Sequence, residues 1–258
     1  MIAMPAVALS LYAMFNRIDG TPRYASREAL CRALGITTES TILLSGTHHD
    51  RPLETWWALG ESKRRIIIRN LRDNGISLVT SPNYSLFTDA PRWTDMHSIK
   101  RIAITHNELV SEGLPAALHV NGRTETDFKR WASYIDAHPE VTHVAYEFTT
   151  GTRWTGRREQ HITWISALAR SAARPLHLLV RGGLDLLPEL SRSFARVTLI
   201  ETSCFVKTMK RQRASISTAS RVVWSSDPTG AGAPLDDLFH HNIRTVHHWV
   251  AAKSAVAA

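Results

Sequence analysis

Residues 41–80 have the sequence TILLSGTHHDRPLETWWALGESKRRIIIRNLRDNGISLVT. The segment begins with a short apolar, β-rich run at Thr41–Ser45, continues with an amphipathic stretch at Leu53–Asn74, and ends with a second apolar run at Ile76–Thr80. Gly75 directly follows the amphipathic stretch, where a left-handed residue closes the last turn of a helix. The segment is therefore typical of one β-α-β unit with parallel strands.

The same alternation continues on both sides of this unit and predicts the fold. The candidate strands are Ala6–Tyr12, Thr41–Ser45, Ile76–Thr80, Ala116–Val120, His143–Phe148, Leu176–Arg181, Val197–Thr202 and Arg221–Ser225. The candidate helices are Arg27–Leu34, Leu53–Asn74, Thr94–Glu112, Thr124–His138, Arg157–Ala172, Leu184–Phe194, Lys207–Ser217 and Pro234–Lys253. Eight strands and a length of about 250 residues are typical of a closed barrel. We therefore predict an α/β protein, a single (β/α)8 TIM-like barrel over residues 1–253, with a frayed tail over residues 254–258.

The first candidate strand is the exception in this series, because Ala6–Tyr12 equally fits the beginning of a helix. A helix there would leave the barrel incomplete or distorted. The surrounding segment Met1–Phe15 is apolar, but it contains Pro5, lacks a basic leading region and is too short to span a bilayer. We interpret it as a buried first strand and expect no membrane partner.

Composition narrows the class of protein further. The chain is 43% hydrophobic and 21% charged, which excludes a disordered protein. A net charge of +8 favours a polyanionic partner such as nucleic acid, and the alternative is a basic surface that serves only solubility. Two widely separated cysteines, Cys31 and Cys204, suggest neither a disulfide framework nor a thiolate zinc site, and fit a reducing cytoplasm.

Two carboxylates occur at the ends of apolar strand runs. In a parallel barrel the catalytic groups gather at the carboxyl ends of the strands, and Glu147 and Glu201 both lie there. Each is a candidate base or nucleophile. The alternative is a structural ion pair with Arg181, which ends the intervening strand.

Polar residues at the other strand ends are candidates for binding and proton transfer. Asp89 and His119 are predicted to handle protons. The predicted substrate-binding residues are Ser81, Asn83, Ser85, Asn121, Arg181, Lys207, Lys210 and Arg211. Arg181 precedes Gly182-Gly183, a turn that either offers free backbone N–H groups to an anion or only permits a tight connection. The three basic residues after Glu201 either contact phosphate or form a solvated helix face.

A histidine cluster raises a metal-binding alternative. His48, His49, His119 and Asp227 would supply imidazole and carboxylate ligands for one divalent ion. Adjacent histidines on an extended chain point in different directions, which argues against this set. The leading interpretation therefore requires no cofactor, and a divalent metal belongs to the alternative.

The run SPNYSLFTDAP at 81–91 resembles the S-P-D-F-S-L-Y-x-D-M-P hallmark of a phage- and mobile-element-associated family called domain of unknown function 4417. The resemblance extends loosely over residues 41–57 and 113–122. It implies an α/β barrel and a mobile-element setting, but no reaction. This chain has Asn83 where the family usually has Asp, so a role that needs a carboxylate there is not carried over, whereas Asp89 is retained.

A more distant likeness, of fold and charge only, is to tRNA-guanine transglycosylases and their deazaguanine DNA-modifying relatives. The cysteine-rich zinc site of the tRNA enzymes is absent here. This likeness implies a transferase that exchanges a base through a strand-end carboxylate, acting on nucleic acid (DNA or RNA) or a nucleotide. The alternatives are a metal-dependent hydrolase and a noncatalytic barrel that binds nucleic acid for a mobile element.

Overall fold

The computed structural model describes residues 4–149, 155–230 and 232–255. Within these ranges seven strands form one parallel sheet, in the order in which they occur along the chain. They are β1 (Ala6–Ser10), β2 (Thr41–Ser45), β3 (Leu78–Thr80), β4 (Ala116–His119), β5 (His143–Glu147), β6 (His177–Arg181) and β7 (Arg196–Ile200). Sequential parallel order with intervening helices confirms a single α/β fold of the TIM-barrel type.

Helices occupy the connections between the strands. They are α1 (Arg27–Leu34), α2 (Asp50–Ala58), α3 (Gly60–Asp73), α4 (Arg92–Ser111), α5 (Glu125–Ala137), α6 (Thr155–Ser171), α7 (Leu187–Ser193), α8 (Ser203–Met209) and α9 (Asp236–Ala255). The single helix predicted at Leu53–Asn74 is divided into α2 and α3 at Gly60. A capping box of Thr124 and Asp127 begins α5. None of the described helices is long and apolar enough to cross a membrane.

The sheet curls around a small interior cluster. One residue from each of six strands contributes to it: Leu43, Leu78, Ala117, Ala145, Leu179 and Ile200. Residues between these positions, such as Ile42, Leu118 and Val180, face the helices and join the larger core. Because successive side chains on a strand point to opposite faces, the residues two places after the cluster form the next layer toward the carboxyl ends.

The predicted first strand is present, but it is shorter than expected, and its residues are exposed or half-buried rather than buried. β1 ends at Ser10, and Leu11–Ala13 forms a turn of 3-10 helix. At the other end of the chain, α9 includes Ser254 and Ala255, the first two residues of the predicted tail. Residues 256–258 lie outside the described ranges.

The predicted eighth barrel strand is wrong. Arg221–Ser225 corresponds to β9 (Val222–Ser226), which pairs antiparallel with β8 (Gln212–Ile216) in a separate hairpin. The predicted helix Lys207–Ser217 is therefore also wrong beyond Met209. A connection of only five residues between β8 and β9 favours a hairpin over a parallel crossover. Among the described residues no strand lies between β1 and β7.

Residues 63–72 on α3 include several arginines, which form ion pairs with acidic residues in α3, in α4 and just after α4. Arg64 Nε and Nη2 donate to the two carboxylate oxygens of Glu108 at 2.7 and 2.6 Å, and both side chains are about 95% buried, with exposures of 5% and 4%. On the surface, Arg65 pairs with Glu61 and Glu112. These contacts favour a structural role for the stretch over phosphate binding.

Removal of the buried partner should destabilise the fold strongly. Glu108→Ala leaves the Arg64 guanidinium buried without a counterion, and we expect a loss of about 3–5 kcal/mol in the free energy of unfolding. Glu61→Ala is the matched control, because Glu61 is 61% exposed, and we expect a loss below about 0.5 kcal/mol. Urea unfolding followed by tryptophan fluorescence measures both. Equal losses in the two variants would contradict the assigned role of the buried pair.

Candidate functional site

A pocket of about 450 Å³ opens at the carboxyl ends of the strands, where α/β barrels carry their active sites. We call it the mouth pocket. Its lining combines carboxylate, cationic, amide and imidazole groups: His48, His49, Asp50, Asn83, Ser85, Asp89, Asn121, Arg123, Tyr146, Glu147, Arg157 and His161. The strand-end residues that the sequence predicted therefore meet, in part, at one site.

Glu147 lies in this pocket and is held by side chains from other strand ends. Arg181 Nη1 donates to Glu147 Oε1 at 3.4 Å, and β5 and β6 place the two residues directly opposite each other. Asn83 Nδ2 donates to Glu147 Oε2 at 3.4 Å, and the Thr149 hydroxyl donates to Oε1. The Glu147 side chain is 9% exposed. The contact to Arg181 is long for a charge-assisted hydrogen bond, so the ion pair leaves the carboxylate available to a ligand.

A second hydrogen bond fixes the amide that holds Glu147. Asn121 Nδ2 donates to Asn83 Oδ1 at 2.8 Å and to the Tyr84 carbonyl oxygen at 3.1 Å. Asn83 therefore presents its N–H to the carboxylate. Asparagine suits this position, because an aspartate here would place a second negative charge against Glu147.

The other residues of the hallmark run have separate roles. Ser81 is buried, and its hydroxyl oxygen accepts a hydrogen bond from the His119 backbone N–H at 2.9 Å, so it joins two strands rather than lining the pocket. Ser85 lines the pocket and donates to Asp50 Oδ1 at 2.5 Å. Asp89 is exposed at the pocket rim.

His119 lies beneath the mouth pocket rather than in its wall. It pairs in register with Ala145, two residues before Glu147, which places it one layer deeper in the barrel. Burial, and then the positive charge of Arg181, lower the pKa of His119 to about 3. Its Nδ1 atom is buried without a hydrogen-bond partner among the described residues. The imidazole is therefore neutral at pH 7 and is not placed to contact a ligand in the pocket.

Glu201 does not share the site with Glu147. Ile200 faces the barrel interior, so the next residue turns away from it. The Glu201 carboxylate accepts hydrogen bonds from the backbone N–H and the hydroxyl of Ser203 at the start of α8. This residue therefore stabilises a helix start.

The predicted basic binding residues after Glu201 also lie away from the mouth pocket. Lys207 lies 5.9 Å from the centre of the Trp224 ring. Lys210 follows α8, and Arg211 begins the turn into the hairpin with a φ of 52°. They form a basic region on the hairpin side of the molecule.

The predicted metal ligands are not brought together. The rings of His48 and His49 lie 4.2 Å apart at the pocket. His119 is in the deeper layer, and Asp227 pairs with Arg213 Nε at 2.7 Å in the hairpin. Over residues 4–149, 155–230 and 232–255 no group of three or more His, Cys, Asp or Glu side chains is arranged to hold a metal ion.

The glycine pair after Arg181 serves packing. Gly182 and Gly183 have φ values of 72° and 68°, and a Cβ on Gly182 would lie 2.6 Å from Thr149 Cγ2. The pair therefore permits a tight connection directly after Arg181, which pairs with Glu147. Neither glycine lines the mouth pocket.

Sequence reasoning missed a tyrosine and histidine pair in the pocket wall. The Tyr146 hydroxyl and His161 Nδ1 are hydrogen-bonded, and Phe128 and Trp164 pack around the imidazole. Burial raises the pKa of Tyr146 and lowers the pKa of His161 to about 4, so both groups are neutral at pH 7. His161 Nε2 is buried without a partner among the described residues. The sequence offered one signal for this pair, a histidine on the buried face of α6.

Comparisons with known proteins add little to this geometry. No family model matches the chain, and no curated protein matches it. A solved structure of dihydrodipicolinate synthase from Agrobacterium tumefaciens superposes over 98% of this chain and 70% of its own, with 10% identity and a TM-score of 0.44. A similarity this weak supports no conclusion about activity. The strand order and the polar mouth define the class, an α/β barrel protein with an acid-bearing pocket at its carboxyl end.

The buried His119 should make stability depend on pH. Its folded-state pKa of about 3 lies below the value of about 6.5 expected for an unfolded chain, so the unfolded state binds the proton first. Stability is then complete above about pH 6.5 and falls as the pH drops toward 3. We expect His119→Asn to reduce the loss of stability between pH 7 and pH 5 by about 2 kcal/mol.

Urea unfolding at the two pH values tests this expectation. His240→Asn is the control, because His240 is an exposed histidine on α9, and it should keep the pH dependence of the wild type. A His119→Asn protein with the wild-type loss on acidification would refute the prediction.

Proposed function

We propose that this protein is a barrel enzyme that acts on nucleic acid or a nucleotide, by base-exchange chemistry of the transglycosylase type with Glu147 as the reacting carboxylate. The observation that carries the proposal is the position of Glu147 in the mouth pocket, where Arg181, Asn83 and Thr149 hold its two oxygens. A carboxylate oriented in this way is prepared for attack on a substrate carbon.

In this mechanism Glu147 attacks the sugar carbon of the glycosidic bond. A carbon–oxygen bond forms, the carbon–nitrogen bond breaks, and the departing base leaves with the electron pair and takes a proton from water. An incoming base then attacks the same carbon and displaces Glu147, and the Asp89 carboxylate at the rim accepts the N–H proton of that base and releases it to water. The neutral His161 side chain, bonded to Tyr146, forms part of the wall beside the base.

Arginine side chains are the candidates for phosphate binding in this pocket, which also contains the carboxylates of Asp50, Asp89 and Glu147. Arg123 and Arg157 line the mouth pocket, and Arg181 lies behind Glu147. Arginines favour phosphate through planar, bidentate hydrogen bonds. The net charge of +8 would also attract a polyanion. The mobile-element setting and the cytoplasmic location belong to the same proposal.

Conversion of Glu147 to glutamine should abolish the reaction. The assay follows the exchange of radiolabelled guanine, and in parallel the release of free base, with tRNA, single-stranded DNA and nucleoside 5′-monophosphates as substrates. We expect Glu147→Gln to lower the rate by at least about 100-fold, because the amide is a much weaker nucleophile.

Glu201→Gln is the matched control, since Glu201 lies at the start of α8 and outside the mouth pocket. We expect it to retain activity within about twofold. Full activity of the Glu147→Gln variant would contradict the proposed mechanism. Nucleic-acid binding without base release or exchange in the wild type would favour the noncatalytic alternative. Activity that requires stoichiometric zinc or manganese would favour the hydrolase alternative.

A further inference from the structure

A second cavity lies where an eighth strand would close the barrel. It has a volume of about 230 Å³ and is bordered by β1 on one side and by the ends of β6 and β7 on the other. We call it the seam pocket. Its polar lining consists of Ser10, Ser45, Thr47, His48, Arg181 and Thr202.

This lining has the composition of an anion site. Four hydroxyl groups surround one guanidinium, and no carboxylate lines the cavity. Hydroxyls and guanidinium groups donate hydrogen bonds, which is the requirement of a phosphate ligand. The rest of the wall is apolar, so its side chains offer no hydrogen-bond acceptor that would compete with a ligand for the donors: Ala8, Leu9 and Ile200.

Two donors in this cavity lack a partner. Ser10 Oγ and Arg181 Nε are buried and make no hydrogen bond to any described residue. Buried polar groups in folded proteins are nearly always hydrogen-bonded, so each unsatisfied group requires a ligand or water. The two groups belong to β1 and β6, on opposite sides of the seam pocket.

Arg181 supplies the one cationic side chain among the described residues that line the seam pocket. Its ion-pair partner is Glu147 at 3.4 Å, which lines the mouth pocket. Burial, followed by the charges of His49, Arg17 and Arg181, lowers the pKa of His48, which lines both pockets.

We propose that the seam pocket binds the phosphate group of a phosphate ester, held by the Arg181 guanidinium and by the hydroxyls of Ser10 and Thr202. The assignment of that phosphate to the substrate of Glu147 rests on the proposed function. Binding of phosphate itself does not, since it depends on Ser10, Thr202 and Arg181 and not on the Glu147 carboxylate. The shared residue His48 and the Arg181–Glu147 contact place the two pockets side by side, so one nucleotide would reach both.

Isothermal titration calorimetry of the full chain with inorganic phosphate tests the site. The wild type should bind phosphate, and Thr202→Val should weaken binding about tenfold, the effect of one hydrogen bond to a charged group. Ser10→Ala combined with Thr202→Val should weaken it further. Thr198→Val is the matched control, because Thr198 is exposed on β7 and lies outside the seam pocket. It should bind like the wild type.

The outcomes separate this proposal from the proposed function. Glu147→Gln should bind phosphate at least as tightly as the wild type while it loses base exchange, because the change removes the negative charge beside Arg181. A nucleoside 5′-monophosphate should bind more tightly than its nucleoside, and the Thr202→Val change should remove that difference. Absence of phosphate binding by the wild type, or equal binding by the double variant, would overturn the seam site and leave the role of Glu147 intact.

Discussion

A parallel strand alternates its side chains between two faces, and this constraint organises the entire protein. One face of the sheet carries Leu43, Ala117, Ala145 and Leu179, which pack together inside the barrel. Two of these residues are alanines, whose small side chains occupy little of the interior. The sheet can therefore curl until β1 and β7 border the same cavity. The same alternation brings Glu147 and Arg181 to the inner face above this cluster, and His119 to the inner face at the level of Ala145. The position of the site is therefore a consequence of how the interior is filled.

Much of this arrangement was predictable from local sequence. Strands β2 to β7 follow apolar runs bounded by turn signals, and their carboxyl ends necessarily meet at one edge. Glu147, Asn83, Asn121 and Arg181 were expected together and are together. The sequence could not distinguish Glu201 from Glu147, because the two differ only in the face of the sheet to which their side chains point. One residue of register decides which face a side chain occupies.

The remaining differences arise from contacts distant in sequence. The segment at 212–226 has the apolar content of a barrel strand, but Asn242 of α9 bonds to the backbone of Gln212 and Ala214 and holds it as a hairpin. His161 reaches the pocket from a helix, through its bond to Tyr146. Neither contact has a local pattern that indicates it. The sequence pattern predicted a helix at Arg157–Ala172 but not the strand residue that His161 contacts.

The gap between β1 and β7 has a consequence for how a ligand reaches the interior. A closed barrel can be entered only along its axis, so its ligands must be small or must present a free end. In this protein β1 and β7 border a cavity of their own, and His48 lines both this cavity and the mouth pocket. A long chain could lie across the edge of the barrel with one unit inserted, and neither of its ends would have to pass through the fold.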